Sequence, residues 1–467
     1  MKGNRSVVII GAGPAGLTAA YESAKQGIRP LVFEKENHIG GLARTEIYKG
    51  YRFDIGGHRF FTNIEAVERL WQEVLGEELL AVKRLSRIYY QGRFLNYPLN
   101  LGNTISNLGF MESLLILLSY LKAQLLPYRQ EKTFERWVIN RFGRRLYRMF
   151  FKTYTEKVWG ISCTALQADW AAQRINGLSL RTVLSNLLFR TNRAKTLIDK
   201  FQYPRLGPGA MWDELQNRVE RLGGQVHLNS DVIRLRQKGH VIQTILVKND
   251  KGITEIPGND FISAMPLGEL IPRWDPQPPR EVVEAAKKLR YRAIILVGLI
   301  INRETLFPDQ WIYVHSPKAK VGRIQNFKNW SAAMLPDPAK TSLGMEYFCS
   351  EGDEIWSMSD ARLLELAMND LSLMGWTTLG APREGLVFRQ AKAYPVYDSG
   401  YQERLEIIHR FLSTIPNFQS VGRGGIHRYN NQDHSMYTAM LAVKNLFGEG
   451  HDLWSVNTES SCGGEPS

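Results

Sequence analysis

Val7-Val8-Ile9-Ile10-Gly11-Ala12-Gly13-Pro14-Ala15-Gly16 is the stretch that decides the fold. Four consecutive β-branched residues read as a buried strand, and the glycine-rich turn after them opens a helix over Leu17 to Gln26, closed by Gly27. A second apolar run, Pro30 to Glu34, gives the next strand. In this strand–turn–helix–strand setting G-x-G-x-x-G acquires physical meaning: Gly11 permits the tight turn, Gly13 admits a pyrophosphate close to the backbone, and Gly16 lets helix and strand pack closely. The phosphates would sit at a helix N-terminus, where open N–H groups and the helix dipole favour negative charge. Glu34 ends the second strand in position to accept hydrogen bonds from ribose hydroxyls.

Working outward, His38-Ile39-Gly40-Gly41-Leu42-Ala43-Arg44-Thr45 comes soon after Glu34. The glycine pair and arginine resemble the second signature of FAD proteins of the glutathione-reductase and amine-oxidase type. That resemblance implies FAD, with Gly41, Leu42 and Arg44 along its pyrophosphate. A second G-x-G-x-x-G is missing, so no dedicated NAD(P)H domain is expected; an external reductant such as NAD(P)H is left open.

Further segments resemble the UDP-galactopyranose mutase family, in order along nearly the whole chain. They are Phe53-Asp54-Ile55-Gly56-Gly57-His58, Asn96-Tyr97-Pro98, Lys132-Thr133-Phe134 to Trp137, Lys157-Val158-Trp159, and Gly422-Arg423 with Tyr429 leading to Asn431-Gln432-Asp433-His434-Ser435. The resemblance implies that Gly57 and His58 adjoin the flavin, that Val232 touches its adenine half, and that Arg423, Gln432, Asp433 and Ser435 return to its ring and ribityl chain. It implies a catalytic clamp of Arg174 and Arg323 on a substrate diphosphate, a chemistry suited to guanidinium forks. Tyr97 and Trp159 would pack on a nucleotide base. Tyr313, Tyr397, Tyr429 and Asn431 would meet phosphate and sugar. Leu99 and Asn100 depart from the family, standing where it usually presents an aromatic residue and a glutamine; Arg59-Phe60-Phe61 depart too.

The function this implies is a sugar-nucleotide mutase that interconverts pyranose and furanose rings, using N5 of reduced FAD as nucleophile. No side-chain nucleophile is then required, in keeping with the lack of a serine or cysteine triad signature. The alternative is an FAD-dependent oxidoreductase of the protoporphyrinogen oxidase, phytoene desaturase or amine oxidase type, which shares both N-terminal signatures.

The rest of the composition bounds these readings. At 467 residues the chain exceeds one ordinary core. The expected class is α/β: a Rossmann-type FAD-binding domain (1–90, 205–285 and 406–454) interleaved with a mainly helical segment (91–204) and a mixed-sheet substrate domain (286–405), before a disordered tail (455–467). Helical patterning is expected from Asn63 to about Arg193. The excess of 59 Lys+Arg over 46 Asp+Glu, a net +13, favours an anionic small-molecule partner such as a nucleotide sugar. No nucleic-acid module accompanies it. Cys163, Cys349 and Cys462 form no C-x-x-C pair, so neither zinc nor a disulfide framework is expected. Met1 to Ser6 leave no room for a signal-peptide core, so a cytoplasmic location is expected. The apolar run Leu114 to Leu126 is too short to span a bilayer and leaves peripheral membrane contact open. The sequence does not set the oligomeric state.

Overall fold

The computed structural model describes residues 5–97, 108–171, 200–377 and 384–458. Its first layer is a five-stranded parallel sheet built around β1 (Ser6–Ile10). The chain turns through α1 (Pro14–Lys25) into β2 (Arg29–Phe33), which lies in parallel register with β1, Val8 opposite Leu31. Gln225–His227 adds beyond β2. On the other side of β1 lie Asp260–Ser263 and then Phe418–Ser420, all parallel. The order therefore reverses at β1, and such a reversal leaves a crevice at the carboxyl ends of the strands.

Local chemistry explains why these residues hold this position. Val7, Val8, Ile9 and Ile10 are covered on both faces, and each such side chain contributes ~1.5–3 kcal/mol by leaving water. Pro14 starts α1 because its fixed φ suits the first helical position. Ala15, Gly16, Ala19 and Ala20 keep one side of the helix small and buried, allowing close packing against the helix Gln432–Asn445.

A four-stranded sheet joins Gly252–Pro257, Val241–Asn249, Asp231–Lys238 and Trp274–Asp275. The expected hairpin from Val232 to Val247 is its antiparallel centre. A mixed seven-stranded sheet, ordered Gly385–Pro395, Tyr291–Ile301, Thr341–Cys349, Arg323–Asn326, Trp311–Val314, Ser86–Tyr90 and Arg93–Asn96, faces the crevice. Its central strands Tyr291–Ile301 and Thr341–Cys349 are buried almost throughout.

The expectation of helix from Asn63 to about Arg193 is corrected within the described residues. Leu79–Lys83, Ser86–Tyr90 and Arg93–Asn96 are strands. Aromatic and β-branched residues at alternate positions, with a Gln91-Gly92 turn between the last two, prevail over helical periodicity there. The helices there include Glu65–Leu75, Phe110–Leu125 and Phe134–Leu146, followed by a π-helical turn at Tyr147–Lys152 and the helix Thr153–Trp159.

Candidate active site

The crevice opens into a cavity of about 580 Å³ that runs from Glu34 and Val232 at one end to Arg323, Tyr394 and Arg423 at the other. At the first end Gly11 takes φ +99°, a conformation that side-chain-bearing residues avoid. A Cβ on Gly16 would lie 1.8 Å from the Gly11 carbonyl oxygen, so the turn and helix meet too closely for any side chain. Gly13 caps α1 without a side-chain bond, and Gly13, Pro14 and Ala15 line the cavity, so the start of the helix borders it. The Glu34 carboxylate is held by Ala12 N–H at 2.8 Å and Glu36 N–H at 3.0 Å.

Arg44 is buried and carries internal bonds of its own at the cavity wall. Its Nε meets Glu46 at 2.5 Å, while Nη1 donates to the Gly41 carbonyl at 2.8 Å and to Gln390 at 2.9 Å. It thereby ties the Gly41 turn to the seven-stranded sheet while lining the cavity.

At the far end, Arg323 and Glu346 form a buried bidentate pair, Nε to Oε1 at 2.8 Å and Nη2 to Oε2 at 2.5 Å. Gln325 Nε2 donates to the same carboxylate at 2.7 Å. Burial alone would lower the arginine's pKa; the Glu346 charge outweighs it and holds the guanidinium firmly protonated. His58 Nε2 lies 2.9 Å from the Ile55 carbonyl, which can only accept, so Nε2 carries the proton. Burial pushes the His58 pKa down to about 4, assisted by the charges of Arg423 and Arg323, and the ring is neutral at pH 7. Arg423 donates from Nε to Asn430 O at 2.9 Å and from Nη1 to Ala393 O at 3.0 Å. These neutral acceptors leave its positive charge in place. Its guanidinium lies over the Tyr429 ring at 4.8 Å, and that ring stacks on Tyr394 at 5.3 Å.

The cavity thus gathers Gly11, Gly13, Glu34, Gly41, Leu42, Arg44, Gly57, His58, Val232, Arg323, Arg423, Tyr429, Asn431, Gln432 and Ser435. Gly16 packs beneath it, and Asp433 is buried at the start of the helix Gln432–Asn445. Trp159 and Tyr397 stand behind Tyr429, not on the wall. Both are 1% exposed; Trp159 lies 5.9 Å from the Tyr429 ring, and the Tyr397 hydroxyl accepts from Tyr429 N–H at 2.7 Å. Tyr313 is the cross-strand partner of Arg323, and the exposed Tyr97 meets the Tyr313 ring at 5.1 Å. These two lead from the surface toward the arginine. Arg174 lies outside the described residues.

Sequence reasoning missed Glu346, Gln390 and Tyr394. A signal existed for the first: Glu346 is the one charge in the otherwise neutral strand Thr341–Cys349.

The residues fit FAD. Besides the glycine turn at the mouth of α1, Gln432 Oε1 and Asn430 Nδ2 on the cavity wall are buried without a hydrogen-bond partner among the described residues. Such orphans are expected where a polar ligand belongs.

Fold and cradle together define a dinucleotide-binding flavoprotein. The chain belongs to the family of flavin containing amine oxidoreductases, whose model matches residues 14–419, and FAD is its cofactor. As a member of that superfamily it is a flavin-dependent enzyme. It is similar to a crystal structure of reduced UDP-galactopyranose mutase at 20% identity, with 98% of both chains covered and a TM-score of 0.83. A putrescine oxidase bound to putrescine superposes at 18% identity and a TM-score of 0.63, covering 96% of this chain and 99% of the other. In sequence, a probable UDP-galactopyranose mutase of Klebsiella pneumoniae is 28% identical over 178 residues, which is 36% of this chain and 44% of that protein. The chain thus spans less than half the length of such curated relatives. Among the described residues no helix is long and apolar enough to cross a membrane.

Proposed function

We propose that the protein is a flavin-dependent sugar-nucleotide mutase acting on an anionic nucleotide sugar. The observation that carries this reading is the charge at the far end of the cavity. The cavity is lined by Lys35, Arg44, Arg323, Arg389, Lys392 and Arg423 against the carboxylates of Glu34, Glu36, Asp231 and Glu269, and the end that holds Arg323 and Arg423 carries the Tyr394 and Tyr429 rings and none of these four carboxylates. Even after Arg323 is offset by the buried Glu346, Lys392 by Glu269 and Arg389 by Asp360, the Arg423 charge stays uncompensated among the described residues. Such a wall suits a diphosphate and disfavours a cationic amine or a wholly apolar substrate. The 0.83 structural likeness to a UDP-galactopyranose mutase supports the same choice.

In this reading Glu34 and the α1 turn hold the ribose and pyrophosphate of FAD, while Gly57, His58, Gln432 and Ser435 hold its other half. Bound FAD, when reduced, supplies a nucleophilic N5 for the anomeric carbon. The chain's own task is to orient the sugar and to receive the charge that develops on the departing diphosphate. Arg323 and Arg423 do this in concert with the Tyr429 and Tyr394 hydroxyls. Burial raises the Tyr394 pKa, so its hydroxyl remains a donor. Each well-aimed donor of this kind is worth ~2.7–4 kcal/mol in the transition state. His58, neutral and with its proton directed at Ile55, packs the loop without competing for the phosphates. Tyr97 and Tyr313 line the approach, and Arg174 is the expected second arm of the clamp.

The oxidoreductase reading has the putrescine oxidase likeness behind it. One experiment separates the two. Anaerobic, dithionite-reduced protein is incubated with a panel of nucleotide sugars, and product ring form is read by chromatography. The mutase converts ring forms with no net electron flow. No ring interconversion by the reduced protein, together with oxygen consumed in step with product in a parallel aerobic incubation of the oxidised protein, would overturn the proposal.

A further inference from the structure

The helix Phe110–Leu125 presents to solvent a surface the active site does not use. Its buried side, Ile116, Tyr120 and Ala123, packs on the helix Phe134–Leu146. There Gly143 brings the backbones so close that a Cβ would meet Tyr120 N at 2.8 Å. The opposite side is apolar and open. Phe110 is 76% exposed, Met111 66%, Leu118 52% and Leu121 47%; Leu125 and Leu126 are 80% and 73% exposed. At 100° per residue the exposed apolar positions of the helix cover an arc of about 160°. A contiguous patch of this size on a folded protein marks an interaction surface.

The rim says which kind. Between Phe110 and Arg148 the chain carries eight Lys or Arg and three Glu. Two of those glutamates are already neutralised, Glu112 by Arg145 and Glu131 by Arg141. Lys122, Arg129, Arg144 and Arg148 are exposed. A second cavity of about 400 Å³, lined by Arg93, Arg145, Arg148, Glu112 and neighbouring apolar side chains, opens on the flank of the same helix.

We propose that this helix docks the enzyme onto an anionic lipid surface. The apolar arc enters the headgroup–acyl boundary, and the arginines of the rim and flanking cavity meet lipid phosphates. A second copy is a poorer occupant, because a twofold contact would set basic rim against basic rim. The helix is too short to span a bilayer, packs its buried apolar side on the protein and gathers its exposed apolar residues on the other, as a segment lying in the interface would.

The test uses the full FAD-loaded chain in vesicle flotation, with the yellow flavin as tracer. Wild-type protein floats with phosphatidylcholine vesicles that contain phosphatidylglycerol, floats poorly with phosphatidylcholine alone, and is released by high salt. The surface variant Leu118→Glu/Leu121→Glu retains flavin and partitions at least about tenfold more weakly. Arg144→Glu/Arg148→Glu loses the preference for anionic vesicles. Three results would each overturn the inference: no flotation of wild-type protein, unchanged flotation of the leucine variant, or sedimentation showing a dimer that the leucine variant abolishes.

Discussion

Asp54 lies at the root of the loop that carries Gly56, Gly57 and His58, and its carboxyl is 1% exposed. Thr45 Oγ1 donates to it at 2.8 Å and the Tyr203 hydroxyl donates to its other oxygen. These two bonds favour the ionised form, yet burial outweighs them and raises the pKa from 3.8 to about 7. At 1.36 kcal/mol per pH unit that rise amounts to on the order of 4 kcal/mol. The sign comes from proton counting. Between pH ~4 and ~7 the native state keeps a proton that the unfolded chain has lost, so the Asp54 contribution to stability is complete below the lower value. It falls as pH rises toward 7 and is flat above it. His58, His315 and His427, pushed down to about 4, 3 and 3, act in the opposite sense below their ordinary value. The raw stability curve therefore mixes the two, and the difference between Asp54→Asn and wild type isolates the carboxyl. Urea unfolding across pH 4 to 8 should show the variant gaining on wild type by several kcal/mol, with the gain ending near pH 7. A difference that does not change with pH would refute the assignment of a protonated, buried Asp54.

Gly16→Ala drives a methyl into the Gly11 carbonyl oxygen and should yield protein with little bound flavin, measured as visible absorbance per chain. Glu346→Ala leaves the Arg323 charge buried without its partner and should cost ~3–5 kcal/mol in urea unfolding, with Glu346→Gln milder because its amide oxygen still accepts. Lys157 Nζ lies 2.9–3.2 Å from the carbonyls of Val314, Ser316, Ala319 and Val321, the loop leading into Arg323. Lys157→Met should destabilise the fold by ~1–3 kcal/mol while flavin content is retained; an unchanged unfolding midpoint would remove the lysine from that role.

The first sixty residues were legible because their chemistry is local. A β-branched run, a glycine turn and an acid at a fixed offset each act within a few residues, so β1, α1 and β2 can be read from spacing, whereas the Gly41 and His58 loops were implied by the family resemblance of their local motifs. The far end of the cavity depends on register between distant strands, which spacing does not encode. Glu346 meets Arg323 only because Thr341–Cys349 and Arg323–Asn326 pair antiparallel with those residues opposite. Tyr394 reaches the wall, with Tyr397 behind it, where the pairing of Tyr291–Ile301 with Gly385–Pro395 slips and Lys392 adopts φ +51°. Such a bulge breaks strand alternation and re-aims the side chains beyond it. Arg44 was legible as a cavity residue, but its internal bonds were not, since Gln390 lies 346 residues away.

The parallel sheet beneath the flavin has a consequence for how the protein comes into being. Its strands are drawn from residues 6–10, 29–33, 225–227, 260–263 and 418–420, so the last is made long after the first. The glycine turn emerges from the ribosome early, yet the floor beneath it is incomplete for some four hundred residues. Parallel pairing over such separations is slow and exposes strand edges while it waits. A shortened chain that ends before Phe418 keeps the nucleotide signature in its sequence and loses the edge of the platform on which that signature stands.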